Sequence, residues 1–202
     1  MPQESLHEMV SLELDHPIWD RFFLPAPLTV IGTRDEGGDW DLAPKHMVTP
    51  LSWENYFGFV CAPTHSTYSN IQREKVFTVS FPHPDQVVMT SLMAAPRWED
   101  GSKVEVQAVP TVPAQLIDGI FLRDSSLLLE CELDRMVDDF GSNSLIAGKI
   151  LAAHVHEEAL RAEDRDDQEV VARSPLLVYL HPGRFTRVTQ SDKFPFPEGF
   201  RR

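Results

Sequence analysis

Short runs of β-branched and aromatic residues, each bounded by Pro, Gly or charged residues, constrain the fold of this chain more than any other feature. The runs expected to form strands are residues 28–34, 39–45, 56–61, 76–81, 126–137, 145–157 and 176–180. Such compositions favour strands. Many short strands with few helices predict an antiparallel barrel or sandwich. The first three have short connections, so we expect antiparallel pairing among them.

Residues 126–137 and 145–157 are predicted to form the longest strands. Leu127, Leu129, Cys131 and Leu133 alternate, so they are expected on one face of the first. The second segment also has a composition that allows a helix, but Gly148 would interrupt it. A strand places this glycine at a bulge or a close approach. We therefore expect two paired strands joined across residues 138–143.

Helices are expected at only a few places. A capping-box pattern at residues 5–8 predicts a short N-terminal helix, and residues 85–95 have helical spacing with Val88, Leu92 and Ala95 on one face. Residues 102–108 fit a helix or a strand equally. The charged segment 158–173 is typical of a solvated helix or a mobile loop. Trp19, Phe22 and Phe23 are expected to dock the N-terminal segment on the barrel.

Two polar loops flank the strand predicted at residues 56–61. The first combines a cation, hydroxyls, a sulfur and a proline in the sequence Lys45, His46, Met47, Val48, Thr49, Pro50, Leu51 and Ser52. The second places hydroxyl and amide groups just before Ile71, at Ser66, Thr67, Ser69 and Asn70. A strand that returns both loops to one edge of a sheet predicts a polar-rimmed cleft. We interpret this cleft as the site of a phosphorylated, flat, aromatic cofactor, whose phosphate Ser66, Thr67 and Asn70 are expected to hold.

Each loop also has a simpler interpretation. Ser66 or Thr67 would N-cap a short helix through Ile71 and Gln72, although free amides at a helix start also favour an anion. The first loop fits an ordinary connector with a Pro turn. It also fits the edge of a flavin-like ring, with backbone donors supplied by the loop and apolar surface by Met47 and Trp53.

The charge balance excludes some partners. The formal net charge is −13, so nucleic acid and anionic membranes are not expected, and an anion must be held by local donors. Cys61 and Cys131 lack the spacing of a disulfide framework, and the N-terminus lacks a signal-peptide pattern. We expect one cytoplasmic domain over residues 1–202, with an N-terminal extension (1–24) and a C-terminal tail (190–202).

Histidines raise the question of a metal site. His154 and His156 would point to one face of a strand, and with His181 they could bind a metal. The interpretation we favour is a pair of hydrogen-bonded histidines at a barrel rim, with no metal. No nucleophile elbow, dinucleotide fingerprint, phosphate-binding Walker loop or HExxH motif is present, and we name no catalytic residue.

An ordered set of motifs resembles a known family. PLTVIGTRDEGGDWDLAPKHMVTPLSW is similar to the opening of the flavin-reductase-like FMN-binding split barrels, and THSTYSNI resembles their phosphate loop. FTVSFP, LLECEL, GSNSLIAGKILAAHVHE and PLLVYLHPGRFTRV with FPFPEGF follow in the same order. The sequence departs from the family pattern at Asn143, where histidine is usual, and at Lys149, where glutamate is usual.

The resemblance implies a mainly β, antiparallel Greek-key split β-barrel with a few peripheral helices. It implies FMN as the cofactor, NADH or NADPH as the hydride donor, and a small-molecule electron acceptor. The ring would carry the redox chemistry while the protein orients it. The alternative is an FMN-holding electron carrier or binding module without nicotinamide turnover, because Lys149 replaces a carboxylate expected near the cleft.

The C-terminal tail predicts an assembly. Phe194, Phe196 and Phe200 alternate with Pro195 and Pro197, so no regular element buries them locally. Such a patch is typical of a contact surface, although the tail could also fold back on its own barrel. The resemblance implies a homodimer with the cofactor cleft near the subunit boundary.

Overall fold

A computed structural model of the chain describes residues 8–98 and 103–200. Within these residues the strands are β1 (Leu24–Pro27), β2 (Thr29–Arg34), β3 (Trp40–Lys45), β4 (Val48–Pro50), β5 (Tyr56–Cys61), β6 (Val76–Phe81), β7 (Thr111–Pro113), β8 (Ile120–Leu122), β9 (Leu127–Phe140), β10 (Asn143–Val155), β11 (Leu176–His181) and β12 (Arg184–Val188). The α-helices are α1 (Ser66–Glu74), α2 (Val87–Leu92), α3 (Val104–Gln107) and α4 (Asp167–Arg173). Single 3-10 turns precede α2 and follow β10.

The main sheet has seven antiparallel strands in the order β3-β2-β6-β9-β10-β5-β4. Smaller sheets are formed by β1-β11-β12 and by β7-β8. The mainly β, antiparallel prediction is confirmed. The expected pairing of β5 with the first two strands is wrong, because β4 and β10 occupy the two edges of β5.

The seven-stranded sheet is strongly curled, and the connection between its two edge strands explains why. Its edge strands, β3 and β4, are linked only by His46 and Met47. Three Cα–Cα steps span at most about 11 Å, whereas seven flat strands would separate the edges by about 29 Å. The sheet must therefore curl into a half-barrel, and we call the gap bridged by Lys45–Val48 the seam.

Apolar residues bury both faces of the strands beside the seam. Inside the curl lie Ile31, Phe57, Phe59, Cys61, Ile71, Phe77, Val79, Leu129, Cys131 and Ile146. A second cluster on the outer face joins Val30 and Leu42 to Met93, Val106, Val109 and Leu122. Neighbours in sequence, Val30 and Ile31, thus enter different clusters, as strand alternation requires.

The predicted pairing of the two long strands is confirmed, but the predicted connector at 138–143 is too long, because β9 extends to Phe140 and β10 begins at Asn143. β9 and β10 pair along their length, with a register shift at Gly148, and Cys131 and Leu129 of β9 are buried in the inner core. A Cβ at Gly148 would lie 2.5 Å from Cζ of Phe77. A close approach of the Phe77 ring therefore requires this glycine.

The helices differ from the sequence expectations in detail. α2 exposes Val88 (67%) and Leu92 (52%) and buries Thr90 and Met93, so the predicted apolar face is wrong. A 3-10 turn at Pro84–Gln86 precedes this six-residue helix and changes the direction of its faces. The ambiguous 102–108 segment contains α3, and the charged 158–173 segment contains α4. The capping box predicted at 5–8 lies outside the described residues except for its last position.

The N-terminal aromatic residues remain on the surface. Trp19 and Phe23 are 54% and 61% exposed, and Trp19 packs edge-on against Phe22 with ring centroids 6.2 Å apart. The expectation that they dock this segment on the barrel is therefore wrong for a single chain, because they contact each other rather than a core. Among the described residues, the helices are all too short or too polar to cross a bilayer.

Candidate functional site

A cleft of about 470 Å³ opens where the start of α1 faces the end of β3. One wall comes from β3, at Asp41 and Lys45, and another from the loop and first turn around Ser66 and Thr67. The segment after α2, ending at Arg97, closes the remaining side. The cleft therefore adjoins the seam of the sheet.

The first turn of α1 supplies hydrogen-bond donors to this cleft. His65, with extended φ −85° and ψ 142°, is the N-cap, and it forms no side-chain capping bond. The prediction that Ser66 or Thr67 caps the helix is wrong, because both already have helical geometry. Amides in the first turn of a helix have no intrahelical partner, and the helix dipole makes this end attractive to anions.

The three residues expected to hold the phosphate have different environments. Ser66 is half-buried and Thr67 is buried, and both line the cleft. The buried Asn70 side chain lies away from it and donates from Nδ2 to Thr33 Oγ1 at 3.0 Å and to Asp35 Oδ1 at 2.7 Å. Asn70 thus ties α1 to the turn between β2 and β3.

A network of ion pairs lies at the base of the cleft. Arg97 contacts Asp35 at 2.9 Å and Asp41 at 3.3 Å, and Lys103 Nζ lies 3.0 Å from Asp41 Oδ1. Arg97 also donates from Nε to Ser66 Oγ at 3.0 Å. These partners are up to 62 residues apart in sequence, so no local motif identified Asp41, Arg97 or Lys103 beforehand.

Lys45 differs from these cations because it forms no ion pair within residues 8–98 and 103–200. Its charge lowers the pKa of two neighbouring histidines and opposes the rise in the pKa of Cys61. Burial, and then Lys45, lower the pKa of His65. Burial, then His181 and Lys45, lower the pKa of His46. Burial and the neighbouring Lys45 ammonium therefore disfavour the charged form of both imidazoles.

Cys61 lies beside Lys45 at the end of β5. Its Sγ is 3.9 Å from Nδ1 of His65. Burial raises the pKa of the Cys61 thiol, although Lys45 partly opposes this effect. A thiol with a raised pKa is a poor nucleophile at neutral pH, so Cys61 is a packing residue of the inner core.

The rest of the first loop follows the edge of the sheet. Val48, Thr49 and Pro50 form β4, which pairs with β5 in the register Val48↔Phe59 and Pro50↔Phe57. Ser52 closes a turn, because its Oγ accepts from the Glu54 N–H at 3.0 Å. Thr49 to Ser52 therefore lie at the other end of β5 from α1, and the cleft gathers only Lys45 from this loop.

His46 and Met47 bridge the seam itself. The His46 ring packs against Tyr179 at 4.6 Å and against His181 at 5.4 Å, centroid to centroid. Met47 is 50% exposed, and its carbonyl accepts from the Val60 N–H at 2.9 Å. Through Tyr179 and His181 of β11, the three-stranded sheet packs against the seam.

The three histidines considered as metal ligands make different contacts. His154 Nε2 lies 3.1 Å from Glu130 Oε1, while His156 Nδ1 accepts from the Glu158 N–H at 3.3 Å. His181 packs at the seam instead. Among the described residues, His, Cys, Asp and Glu form no group of three arranged to hold a metal.

Comparisons with known proteins give the family. Residues 20–189 match the family described as "Flavin reductase like domain". An uncharacterised protein of Pyrococcus abyssi is 27% identical over 137 residues, which are 65% of this chain and 74% of that protein.

Solved structures share the fold. An FMN-binding protein from Thermus thermophilus superposes with a TM-score of 0.76 at 21% identity, covering 93% of this chain and all of that one (100%). The NADH:FAD oxidoreductase SgcE6 of Streptomyces globisporus gives 0.65 at 14% identity, covering 81% and 86%. The predicted split barrel is confirmed. The chain belongs to the flavin reductase-like domain family.

Proposed function

We propose that this protein is an FMN-dependent oxidoreductase of the flavin reductase type that uses NADH or NADPH. The observation that carries the proposal is the cleft that joins Lys45, Ser66 and Thr67 at the first turn of α1. In a chain of net charge −13, a cation without a carboxylate partner beside free helix amides is a local phosphate site. The Thermus relative in fold is named for FMN binding, and the Streptomyces one for NADH and FAD.

The donor set fits a flavin phosphate. The first-turn amides of α1, the hydroxyls of Ser66 and Thr67 and the Lys45 ammonium would hold it. The ring would lie along the seam, with its polar edge against the main chain of the loop from Lys45 to Ser52. FMN, when bound, supplies the hydride chemistry, and this chain binds and orients it.

Two residues position this donor set without contacting the flavin in our proposal. Asn70 fixes α1 to the β2–β3 turn through Thr33 and Asp35. Arg97 fixes the Ser66 hydroxyl from the other side. The expected direct role of Asn70 at the phosphate thus becomes a positioning role.

The test begins with identification of the flavin that heat releases from the purified protein. Titration of FMN into the flavin-free chain then compares Ser66→Ala/Thr67→Ala with the matched control Ser69→Ala, whose hydroxyl donates to the Ser66 carbonyl. Two lost charge-assisted bonds of roughly 1.5–3 kcal/mol each weaken FMN binding at least tens of fold, and the control changes it little. Equal affinities in folded variants contradict the phosphate site, and release of FAD would replace FMN.

The alternative to a reductase was expected from Lys149, where the family pattern has glutamate. The expectation that this position lies near the cleft is wrong, because Lys149 is exposed on β10 opposite Tyr56 and Glu132, outside the cleft. A chain that holds FMN without nicotinamide turnover would be an electron carrier or flavin-binding module. Anaerobic addition of NADH or NADPH distinguishes the two, because a reductase loses its flavin absorbance within its turnover time and a carrier keeps it.

We also propose that the electron acceptor is a small molecule. A cytoplasmic location is in keeping with the free thiols of Cys61 and Cys131.

We further propose that the protein is a homodimer, and the C-terminal tail supports this. Phe196 stacks on Phe200, with ring centroids 4.5 Å apart, and packs at a tilt against Phe194 at 4.6 Å, yet all three remain about half exposed or more. Burial of each would contribute about 1.5–3 kcal/mol, which a second copy can supply.

A further inference from the structure

A second pocket lies on the other side of β3, between α2 and the hairpin of β11 and β12. Its volume is about 230 Å³, and its walls include Leu28, Pro44, Thr90, Tyr179, Arg184 and Phe185. An apolar cavity of about 150 Å³ already holds a benzene ring. The pocket is therefore large enough for one six-membered ring and a small polar substituent.

The wall of this pocket includes a buried polar group without a partner. Among the described residues, the buried side-chain atoms without a hydrogen-bond partner are Thr90 Oγ1 and His181 Nδ1. Thr90 is 1% exposed and lines the pocket, while the His181 ring packs near Tyr179 of its wall. A buried hydroxyl without a partner costs about 1–3 kcal/mol, so such groups usually meet a ligand or water.

The rim of the pocket carries a cation. The side chain of Arg184 forms no ion pair or hydrogen bond within the described parts of the chain. By contrast, the Arg187 guanidinium on the same strand contacts the Asp85 carboxylate at 2.8 Å. The net charge of the chain repels anions in general. The unpaired Arg184 guanidinium at the mouth of this pocket can therefore attract an anionic group that enters it. The planar, forked guanidinium matches the geometry of a carboxylate.

We propose that this pocket binds a small planar molecule that carries a carboxylate. The ring lies between Leu28, Tyr179 and Phe185, the carboxylate pairs with Arg184, and the Thr90 hydroxyl forms a hydrogen bond to the ligand at the buried end. Nothing in this binding step requires a flavin.

The position of the pocket suggests the use of this ligand. Tyr179 forms one wall and packs at a tilt against His46. His46 bridges the seam and belongs to the loop from Lys45 to Ser52, along which the flavin ring is proposed to lie. Resting on the proposed function, we assign the bound carboxylate as the small-molecule substrate that approaches the flavin ring from the side of β11.

The test uses benzoate as the probe and the full chain, with and without saturating FMN. Binding is followed by protein NMR shifts, with benzamide and cyclohexanecarboxylate as comparison ligands. Benzoate is expected to saturate and to bind about tenfold tighter than the uncharged amide; the non-planar acid binds more weakly than benzoate. Arg184→Gln removes the preference for the acid, and the matched control Arg187→Gln keeps it.

Thr90→Val tests the buried end, because it replaces the hydroxyl by a methyl group of similar volume and leaves the fold intact. It is expected to weaken benzoate and benzamide equally, by several-fold. Absence of saturable binding, or equal loss in the two arginine variants, overturns the proposal, and an unchanged affinity in Thr90→Val overturns the role of that hydroxyl. Benzoate binding to flavin-free chain that fails to bind FMN would separate this pocket from the proposed function.

Discussion

The buried Glu130 carboxylate offers the sharpest test of how the structure is held together. Glu130 lies on β9 with 0% exposure, and it accepts three backbone N–H bonds from the loop between β7 and β8. Gln115 donates to Oε1 at 3.0 Å, and Leu116 and Ile117 donate to Oε2 at 2.7 and 3.0 Å. His154 lies against Oε1 as well.

We expect Glu130→Ala to lower the free energy of unfolding by about 3 kcal/mol. Three bonds to a charged acceptor, at roughly 1.5–3 kcal/mol each, set an upper range. The actual cost is smaller because the variant no longer requires desolvation of a buried carboxylate. Glu130→Gln is expected to cost about half as much, since its amide oxygen retains part of the acceptor set.

Urea unfolding followed by tryptophan fluorescence measures this difference. Glu132→Ala is the matched control, because Glu132 lies two residues along the same strand and is exposed; we expect a change within about 0.5 kcal/mol. A similar loss in Glu130→Ala and Glu132→Ala would refute the reasoning from the three backbone donors.

The same carboxylate predicts a pH dependence. Burial alone would raise the pKa of Glu130, but the three N–H donors and His154 lower it below the ordinary value of 4.5. A lowered folded-state pKa stabilises the fold fully above 4.5, and this contribution disappears as the pH falls through the folded value. The stability difference between wild type and Glu130→Gln is therefore constant near neutral pH and shrinks in acid. A difference that grows in acid would contradict this sign.

Three further predictions follow from the packing, the loop at the seam and the tail. Gly148→Ala should destabilise by about 1–3 kcal/mol, since its Cβ would meet Phe77, whereas Gly37→Ala, with nothing within 4 Å, should be neutral in the same urea experiment. Val48→Ala should change the Kd for FMN little, while Pro50→Gly should raise it several-fold, because the loop acts through its main chain; the reverse order in a fluorescence titration would argue against this loop. Sedimentation of the FMN-bound protein at micromolar concentration should give twice 22.9 kDa, and a single species at that monomer mass would exclude the dimer.

Local patterns in the sequence were sufficient for much of the secondary structure. Tyr56–Cys61 and Val76–Phe81 form the predicted strands with the predicted bounds, and alternation placed Cys131 in the core. Gly148 was expected at a bulge or a close approach, because a glycine inside a strand usually marks one of the two, and the structure shows both a register shift and the contact with Phe77 there. These features depend on the conformational preferences of a few neighbouring residues, so they can be predicted from the sequence.

The buried face of α2 was beyond local patterns. It depends on a 3-10 turn whose formation alters the direction of the helix, so Thr90 and Met93 replaced Val88 and Leu92 inside. Spacing along the chain gives the period of a helix but not its rotation against the sheet.

The sequence alone determined the strands, the hydroxyl-rich start of α1 and the polar loop that begins at Lys45, because each is a local property. The tertiary structure alone decided the strand order, the seam and the network in which Arg97 contacts Asp35 and Asp41. The physical reason is that a curled sheet brings together residues more than fifty positions apart. Their attraction is electrostatic and non-local, and no spacing in the chain records it.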